Sequence, residues 1–422
     1  MTQQTNWAGN YTYQAGSIHQ PKTFDEVREV VRSHEKIRTL GSRHSFNQIA
    51  DSPQHALISL EQVPPQISLN EAHHTVTASG GLRYGELSQH LQREGFALHN
   101  LASLPHISVA GACATATHGS GINNGNLATA VAAMEIVTVD GEVLNVAREK
   151  DGDVFNGMVV SLGGFGIVTK LTLAMQPTFD VQQDIYENLP LRELENHFDE
   201  IMGRGYSVSL FTDWKTETIN QVWVKRRLSD GKRLETESNL FGAVPAHRRM
   251  HPIASVSAES CTEQMGIPGP WHERLPHFRM DHTPSHGAEL QSEYFVARDD
   301  ADAALLALNS IREHIAPLLL ISEVRTIAAD DLWLSMCYKR DSVAFHFTWK
   351  LDQPAVLKLL PSLEKVLVPF DVRPHWGKLF TISPQQLEKR YERMNDFRTL
   401  LKQYDPQGKF SNPFLDRNIF GE

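Results

Sequence analysis

The chain has 422 residues, of which 41% are hydrophobic, 21% charged and 8% aromatic. That excludes disorder, and the length exceeds one ordinary domain, so two are expected. The net charge of −10, from 40 basic and 50 acidic residues, leaves no basic surplus for nucleic acid. The one basic run, Lys225-Arg226-Arg227 to Lys232-Arg233, is interrupted by Asp230 and reads as a solvated strand-and-turn surface. Cys113, Cys261 and Cys337 are too few and too scattered for a disulfide framework or a zinc site, and read as buried thiols. No apolar run reaches about 18 residues, so no membrane span is expected. The polar N-terminus Met1 to Tyr13 lacks a signal-peptide pattern, which points to a reducing cytoplasm.

In chain order, Thr23-Phe24-Asp25-Glu26 is a capping box, and Val27, Val30 and Val31 follow at helical spacing, so a helix is predicted to about His34. Ile37 to Leu40 reads as a short strand entering the loop Gly41-Ser42-Arg43-His44-Ser45-Phe46. Thr75 to Ala78 is another strand, leading through Gly80-Gly81 into a helix over Tyr84 to Arg93 that Gly95 stops. Met134 to Val139 and Val143 to Val146 flank Asp140-Gly141, a hairpin turn signal. Gly163-Gly164-Phe165-Gly166 precedes a strand over Ile167 to Leu173, and Pro177 marks a domain boundary. Beyond it, a His- and Pro-rich stretch over 245–290 reads as irregular connection packed over a site. Asp300 to Ile315 is predicted as one amphipathic helix, and Leu318 to Ile327 and Ser342 to Lys350 as β-structure. Ser383-Pro384-Gln385-Gln386 is a second capping box, with Leu387, Tyr391, Met394, Phe397 and Leu401 as one core-facing helical stripe.

The first half has glycine-rich loops but no G-x-G-x-x-G between a strand and a helix, so the NAD-type fingerprint is absent. Thr39 to Ser45 and a second set, Gly111 with Thr115 to His118, could still hold a pyrophosphate on backbone N–H groups. Either loop taken singly reads better as an ordinary surface turn. In the second half Glu323 and Arg325 stand two apart on an apolar strand, so both face one side. His346 and Thr348 repeat this, while Val343, Phe345, Phe347 and Trp349 face the other way. Such a polar face is either solvent or a site. His375-Trp376-Gly377-Lys378 follows near the C-terminus.

Taken with Ala102-Ser103-Leu104-Pro105-His106-Ile107-Ser108 and Thr115-Ala116-Thr117-His118-Gly119, these motifs resemble the vanillyl-alcohol oxidase superfamily of flavoproteins. The resemblance lies in the branch of sugar-lactone and alditol oxidases, is nearest to bacterial alditol oxidases of xylitol/sorbitol type, and runs over most of the chain. It implies an α+β fold with an N-terminal FAD-binding domain, 1–178, and a substrate or cap domain on an antiparallel sheet, 179–422. Elements around 375–422 fold back onto the first domain. FAD is then the expected cofactor, bonded covalently through His44, which needs a neutral imidazole. The expected cradle is Thr39, Leu40, Gly41, Ser42, Arg43, His44, Ser45, Ser103, Ser108, Gly111, Thr115, Ala116, Thr117, His118, Val168 and His375. Family members often have glycine before the histidine, where this chain has Arg43. If that glycine is conformational, Arg43 is at odds with attachment. If it is only small, Arg43 can point outward or touch a phosphate, and this second case is expected. A plain structural loop histidine is the alternative for His44.

The resemblance further implies that Glu-x-Arg and His-Trp-x-Lys line the flavin face, and that Ser103 meets both flavin and substrate. Ala102 beside it bears on oxygen access. A polyol needs donors and acceptors: Glu323 accepts, while Arg325, Thr348 and Ser103 donate or bridge. Hydride passes from carbon 1 to flavin N5, and O₂ returns the flavin with release of H₂O₂. Arg325 and Lys378 stabilise alkoxide character, and the base is His346 or a neutral Lys378. His106 and His118 lack metal-ligand spacing, so no metal site is expected and hydrogen-bonding roles are assigned, His118 beside the cofactor. An aldonolactone oxidase or dehydrogenase of the same branch is the alternative activity. A metal hydrolase is disfavoured because no H-E-x-x-H or clustered His/Cys/carboxylate set appears, and a sugar-binding module would not require the loops around His44 and Ser103. A small polyol and O₂ are the expected partners of a monomer.

Overall fold

The computed structural model describes residues 4–229, 231–282 and 288–422. Asp230, named above within the basic run, lies outside them, as do Met1 to Gln3 and residues 283–287 of the His- and Pro-rich stretch. Three parallel short strands open the fold, with Ala56–Ile58 between Ser17–His19 and Ile37–Thr39. A five-stranded antiparallel sheet follows, in the order Ile67–Asn70, Thr75–Ser79, Ile167–Ala174, Val131–Val137, Val143–Ala147. From Asp180 onward the chain builds a nine-stranded sheet. Its centre runs Asp180–Pro190, Thr218–Arg227, Ser207–Thr212, Leu319–Ile327, Ser342–Lys350, Glu289–Ala297, all antiparallel.

The helices start and stop where local chemistry directs. Thr23 Oγ1 accepts from Glu26 N at 3.2 Å, and the helix Phe24–Ser33 follows. Glu26 reaches one residue further than a capping box does, accepting from Lys22 N at 2.6 Å. The helix Tyr84–Arg93 ends before Gly95, whose φ of 83° suits glycine. Ser383 and Gln386 form the full reciprocal box.

Three expectations are corrected. The predicted helix over 300–315 is two, Ala301–Asn309 and Arg312–Ile315, because Ser310 turns its hydroxyl back onto Ala307 O at 2.7 Å and competes with the helical pattern. The stripe Leu387 to Leu401 is buried throughout but spans two helices, Pro384–Arg390 and Met394–Tyr404. Arg373 Nε takes the Arg390 carbonyl at 2.9 Å, so Met394 N bonds Tyr391 O instead and the helix restarts. The basic run is not a solvated surface at its start: Lys225 is 1% exposed. Cys113, Cys261 and Cys337 are free and buried, as expected.

C-terminal residues hydrogen-bond back to N-terminal segments. Ile37 N bonds Lys409 O at 2.9 Å, Asn412 Nδ2 bonds Asp51 O at 2.8 Å, and Asn47 Nδ2 bonds both Trp376 O and Lys378 O at 2.8 Å. The large sheet turns one face to helix Gln353–Leu367, where Tyr294 donates to Glu364 Oε1 at 2.8 Å. Its other face, carrying Glu293, opens on a cavity. No helix among the described residues is long and apolar enough to cross a membrane.

Candidate active site

One cavity of about 690 Å³ lies between the N-terminal loops and the open face of the large sheet. The loop 39–45 forms one wall and residues 108–117 another. The backbone N–H groups of Gly41 to Ser45 donate to no described group, so five successive donors are free for an anion. A Cβ on Gly41 would come within 2.8 Å of Ser108 Oγ, and one on Gly111 within 2.7 Å of the same oxygen. Gly41 lets the first loop close on Ser108 of the second, and Ser42 Oγ seals the junction by accepting from Ser108 N at 3.0 Å.

His44 lines the same cavity, stacked on Trp7 with ring centroids 5.5 Å apart. Burial, then His106, Lys378 and Arg83, push its pKa down to about 4, so the imidazole is neutral at pH 7. Its buried Nδ1 has no hydrogen-bond partner among the described residues. The N-terminal segment buttresses this loop: Trp7 N bonds Arg43 O at 2.8 Å and Asn6 Nδ2 bonds Ser45 O at 2.9 Å. Arg43 has φ 62°, so the position before His44 is conformationally left-handed and not merely small, which corrects the expectation. Its exposed side chain does point outward, 3.5 Å from Gln4 Oε1. Left-handed backbone costs a side chain about 1–2 kcal/mol, offset by glycine's greater unfolded freedom. Arg43→Gly is thus expected to stabilise the protein by about 0.5–1 kcal/mol. A raised urea midpoint with unchanged flavin content checks this.

The sheet face supplies the polar groups in one row. Register pairs Glu323 with His346 and His346 with Glu293 across three adjacent strands. Arg325 donates to Glu293 Oε1 at 2.7 Å and to Ser103 Oγ at 3.3 Å, and its Nε lies 3.6 Å from Glu323 Oε1. Burial alone would raise both carboxyls; Arg325 and His277 hold Glu323, and His118, Arg325 and His346 hold Glu293, below the usual carboxylate range. Arg325 loses some basicity to burial and regains more from Glu323 and Glu293. His346 Nε2 lies 3.2 Å from Thr348 Oγ1 and its Nδ1 3.5 Å from Glu293 Oε2. Burial, opposed by Glu293 and aided by Lys378, lowers its pKa and keeps it neutral. Lys378 Nζ donates to Gln291 Oε1 and sits 5.1 Å above the Phe46 ring; burial pulls its pKa down to about 8.

Of the cofactor, substrate and catalytic candidates named from the sequence, all but one line this cavity. The exception is Ala116: fully buried at φ 52°, it turns the backbone behind the wall and does not reach the cavity. His375 accepts from Gly377 N on Nδ1 at 3.0 Å, shaping the turn that delivers Lys378. His118 bonds Glu293 Oε1 at 3.1 Å, and His106 bonds Met280 O at 2.9 Å. Glu293, Gln291, His277, His251 and Trp7 were not anticipated. Gln291 and Glu293 carry the same two-apart signal on an apolar strand as Glu323 and Arg325, so they were findable. His277 comes from an irregular segment without periodicity, yet its Nε2 stands 2.7 Å from Glu323 Oε1.

Comparison with known proteins agrees with this geometry. Residues 16–147 match the family model of the FAD binding domain, and residues 287–418 that of D-arabinono-1,4-lactone oxidase. An alditol oxidase from a Streptomyces species is 48% identical over 413 residues, 97% of each chain. The chain belongs to the alditol oxidase family. Within the vanillyl-alcohol oxidase superfamily this family sits in the sugar-lactone oxidase branch: mouse L-gulonolactone oxidase is 24% identical, covering 98% of both chains. The crystal structure of cholesterol oxidase from B. sterolicum superposes with a TM-score of 0.76 at 16% identity, over 98% of this chain and 96% of that one, which shows the shared fold. Family membership makes the chain an FAD-dependent oxidoreductase that uses oxygen. The N–H run 41–45, the close approach of Gly41 to Ser108 and the Nδ1 of His44, unpartnered among the described residues, fit that cofactor.

Proposed function

We propose that the chain oxidises the terminal C1 hydroxyl of a sugar alcohol of xylitol or sorbitol type to the aldose. The observation that carries this is the row of buried donors and acceptors, Glu323, His346, Thr348 and Arg325, facing the cavity that the flavin loops share. A site whose polar groups pair with several hydroxyls rejects analogues lacking them, because the groups would stay unpaired. The relative named alditol oxidase supports the choice over a lactone. FAD, held by the loops 39–45 and 108–117, would supply the acceptor for the hydride of the alcohol carbon, with O₂ as the oxidant that leaves as H₂O₂.

The protein groups do the rest. Glu323 accepts from a substrate hydroxyl; Arg325, Thr348 and Ser103 donate to others and fix the chain's orientation. His346, neutral and with Nδ1 toward the Glu293 carboxylate, takes the C1 hydroxyl proton on Nε2. Lys378 and Arg325 stabilise the developing alkoxide. Residues 1–178, with elements around 375–422 folding back onto them, form the cofactor domain, and 179–422 form the substrate domain. His44, neutral with a free Nδ1, is the covalent attachment point. The protein works as a monomer in the cytoplasm, where its three thiols stay reduced.

Two measurements test the reading. Acid-precipitated protein should keep its yellow colour in the pellet, and His44→Ala should release the flavin to the supernatant. Acid-stable flavin in that variant would remove His44 as the attachment point. O₂ uptake with H₂O₂ release should follow xylitol or sorbitol. Uptake with an aldonolactone alone would favour the lactone activity to which residues 287–418 are also similar.

A further inference from the structure

Lys225 takes no part in the chemistry above, yet it is a lysine with 1% exposure on the strand Thr218–Arg227. Three acceptors surround its Nζ: Leu275 O at 2.5 Å, Pro276 O at 3.2 Å and His277 Nδ1 at 3.0 Å. Burial pulls its pKa down to about 7, and the ammonium form has three donors and no acceptor, so all three acceptors are matched and Nδ1 of His277 receives. Burial, with Lys225 adding to it, pushes the His277 pKa down to about 4, so the ring carries a single proton. With Nδ1 accepting, that proton sits on Nε2, which donates to Glu323 Oε1 at 2.7 Å. Glu323 Oε2 accepts from no described group, and the residue lines the cavity.

We propose that Lys225 and His277 are positioning residues for the substrate-binding carboxylate. Lys225 selects the His277 tautomer; His277 Nε2–H then occupies one oxygen of Glu323 and leaves the other as the acceptor for a substrate hydroxyl. The opposite tautomer would set a ring lone pair against a carboxylate lone pair and swing Glu323 away. The strand residue, the 275–277 turn and Glu323 lie 52 and 46 positions apart, so only the fold joins them. This inference rests on the polyol reading.

The test is a double-mutant cycle on flavin-loaded enzyme with xylitol. Lys225→Met should raise KM about tenfold, the effect of one mis-set buried hydrogen bond, with kcat changed far less. In a Glu323→Gln background the same substitution should raise KM no further, because the pathway ends at that carboxylate. A KM increase of equal size in both backgrounds, or an unchanged KM in Lys225→Met, overturns the proposal. If Lys225→Met does not fold with flavin, a pair at His277 decides. His277→Gln keeps an N–H donor for Glu323 and should hold KM nearer wild type than His277→Phe; equal values overturn the proposal. A wild type inactive on every polyol overturns the substrate reading and this inference with it. An active wild type with an insensitive Lys225 overturns the inference alone.

Discussion

Lys378→Met lowers kcat for a sugar alcohol by about 10²–10³-fold while FAD stays bound, the loss that follows when one preorganised charge is removed from the developing alkoxide. Methionine keeps the length and volume, so the Phe46 face stays covered and the loop contacts through Asn47 to the Lys378 carbonyl are unaffected. The pH dependence separates the ammonium from the free amine. Burial brings the Lys378 pKa down to about 8. If the charged form works, as its bond to Gln291 and its seat over an aromatic ring favour, kcat is level through neutral pH and falls above about 8. A rise through that range would instead make Lys378 the base and displace His346. Wild-type turnover in the variant would remove Lys378 from the mechanism. Stopped-flow flavin reduction, with flavin absorbance as the control for cofactor content, reads both outcomes.

Glu293→Gln carries the largest expected cost in stability. Glu293 is 2% exposed and serves three partners: Arg325 at 2.7 Å, His118 at 3.1 Å and His346 at 3.5 Å. The amide keeps the shape and removes the charge. Arg325 is then left buried with only Glu323 at 3.6 Å to compensate it. Removing one member of a buried, hydrogen-bonded ion pair costs about 3–5 kcal/mol, far more than the pair is worth against an apolar replacement. The expected result is a urea midpoint lowered accordingly, together with a raised KM, since Arg325 no longer holds its angle toward Ser103. A variant as stable as wild type would mean that the carboxylate is not the anchor of this row.

Much of the site was legible because it lies on regular strands. Glu323 with Arg325, and His346 with Thr348, are two apart in apolar runs, and the period of a strand puts each pair on one face. The same rule reaches Gln291 and Glu293 on Glu289–Ala297, where the sequence was read without it. The loop 39–45 was legible through the family resemblance: its small residues allow a backbone to approach an anion, but Gly/Ser loops are common and this one taken singly reads as a surface turn. Arg43 was misjudged because composition does not reveal φ: a residue with a side chain can occupy a left-handed position when flanking bonds, here Trp7 N to the Arg43 carbonyl, hold it there. Helix continuity failed at Ser310 and at Tyr391 for a related reason. Hydrophobic period specifies which face is buried, but a serine hydroxyl or a distant arginine that captures a helix carbonyl decides where the helix stops.

By itself the sequence determined the strand positions that face one way, because these follow from local period, while its motifs taken together carry the resemblance that points to the class of the protein and to the loops beside a cofactor. The tertiary structure alone decided which of those faces meet. Strand register set Glu293, His346 and Glu323 side by side. Chain crossing brought Lys225 and His277 up behind Glu323. Burial then altered their chemistry: a lysine that reads as a solvated cation becomes a hydrogen-bond donor held in the interior. No local pattern encodes that, because the desolvation of a charge depends on every segment that packs around it.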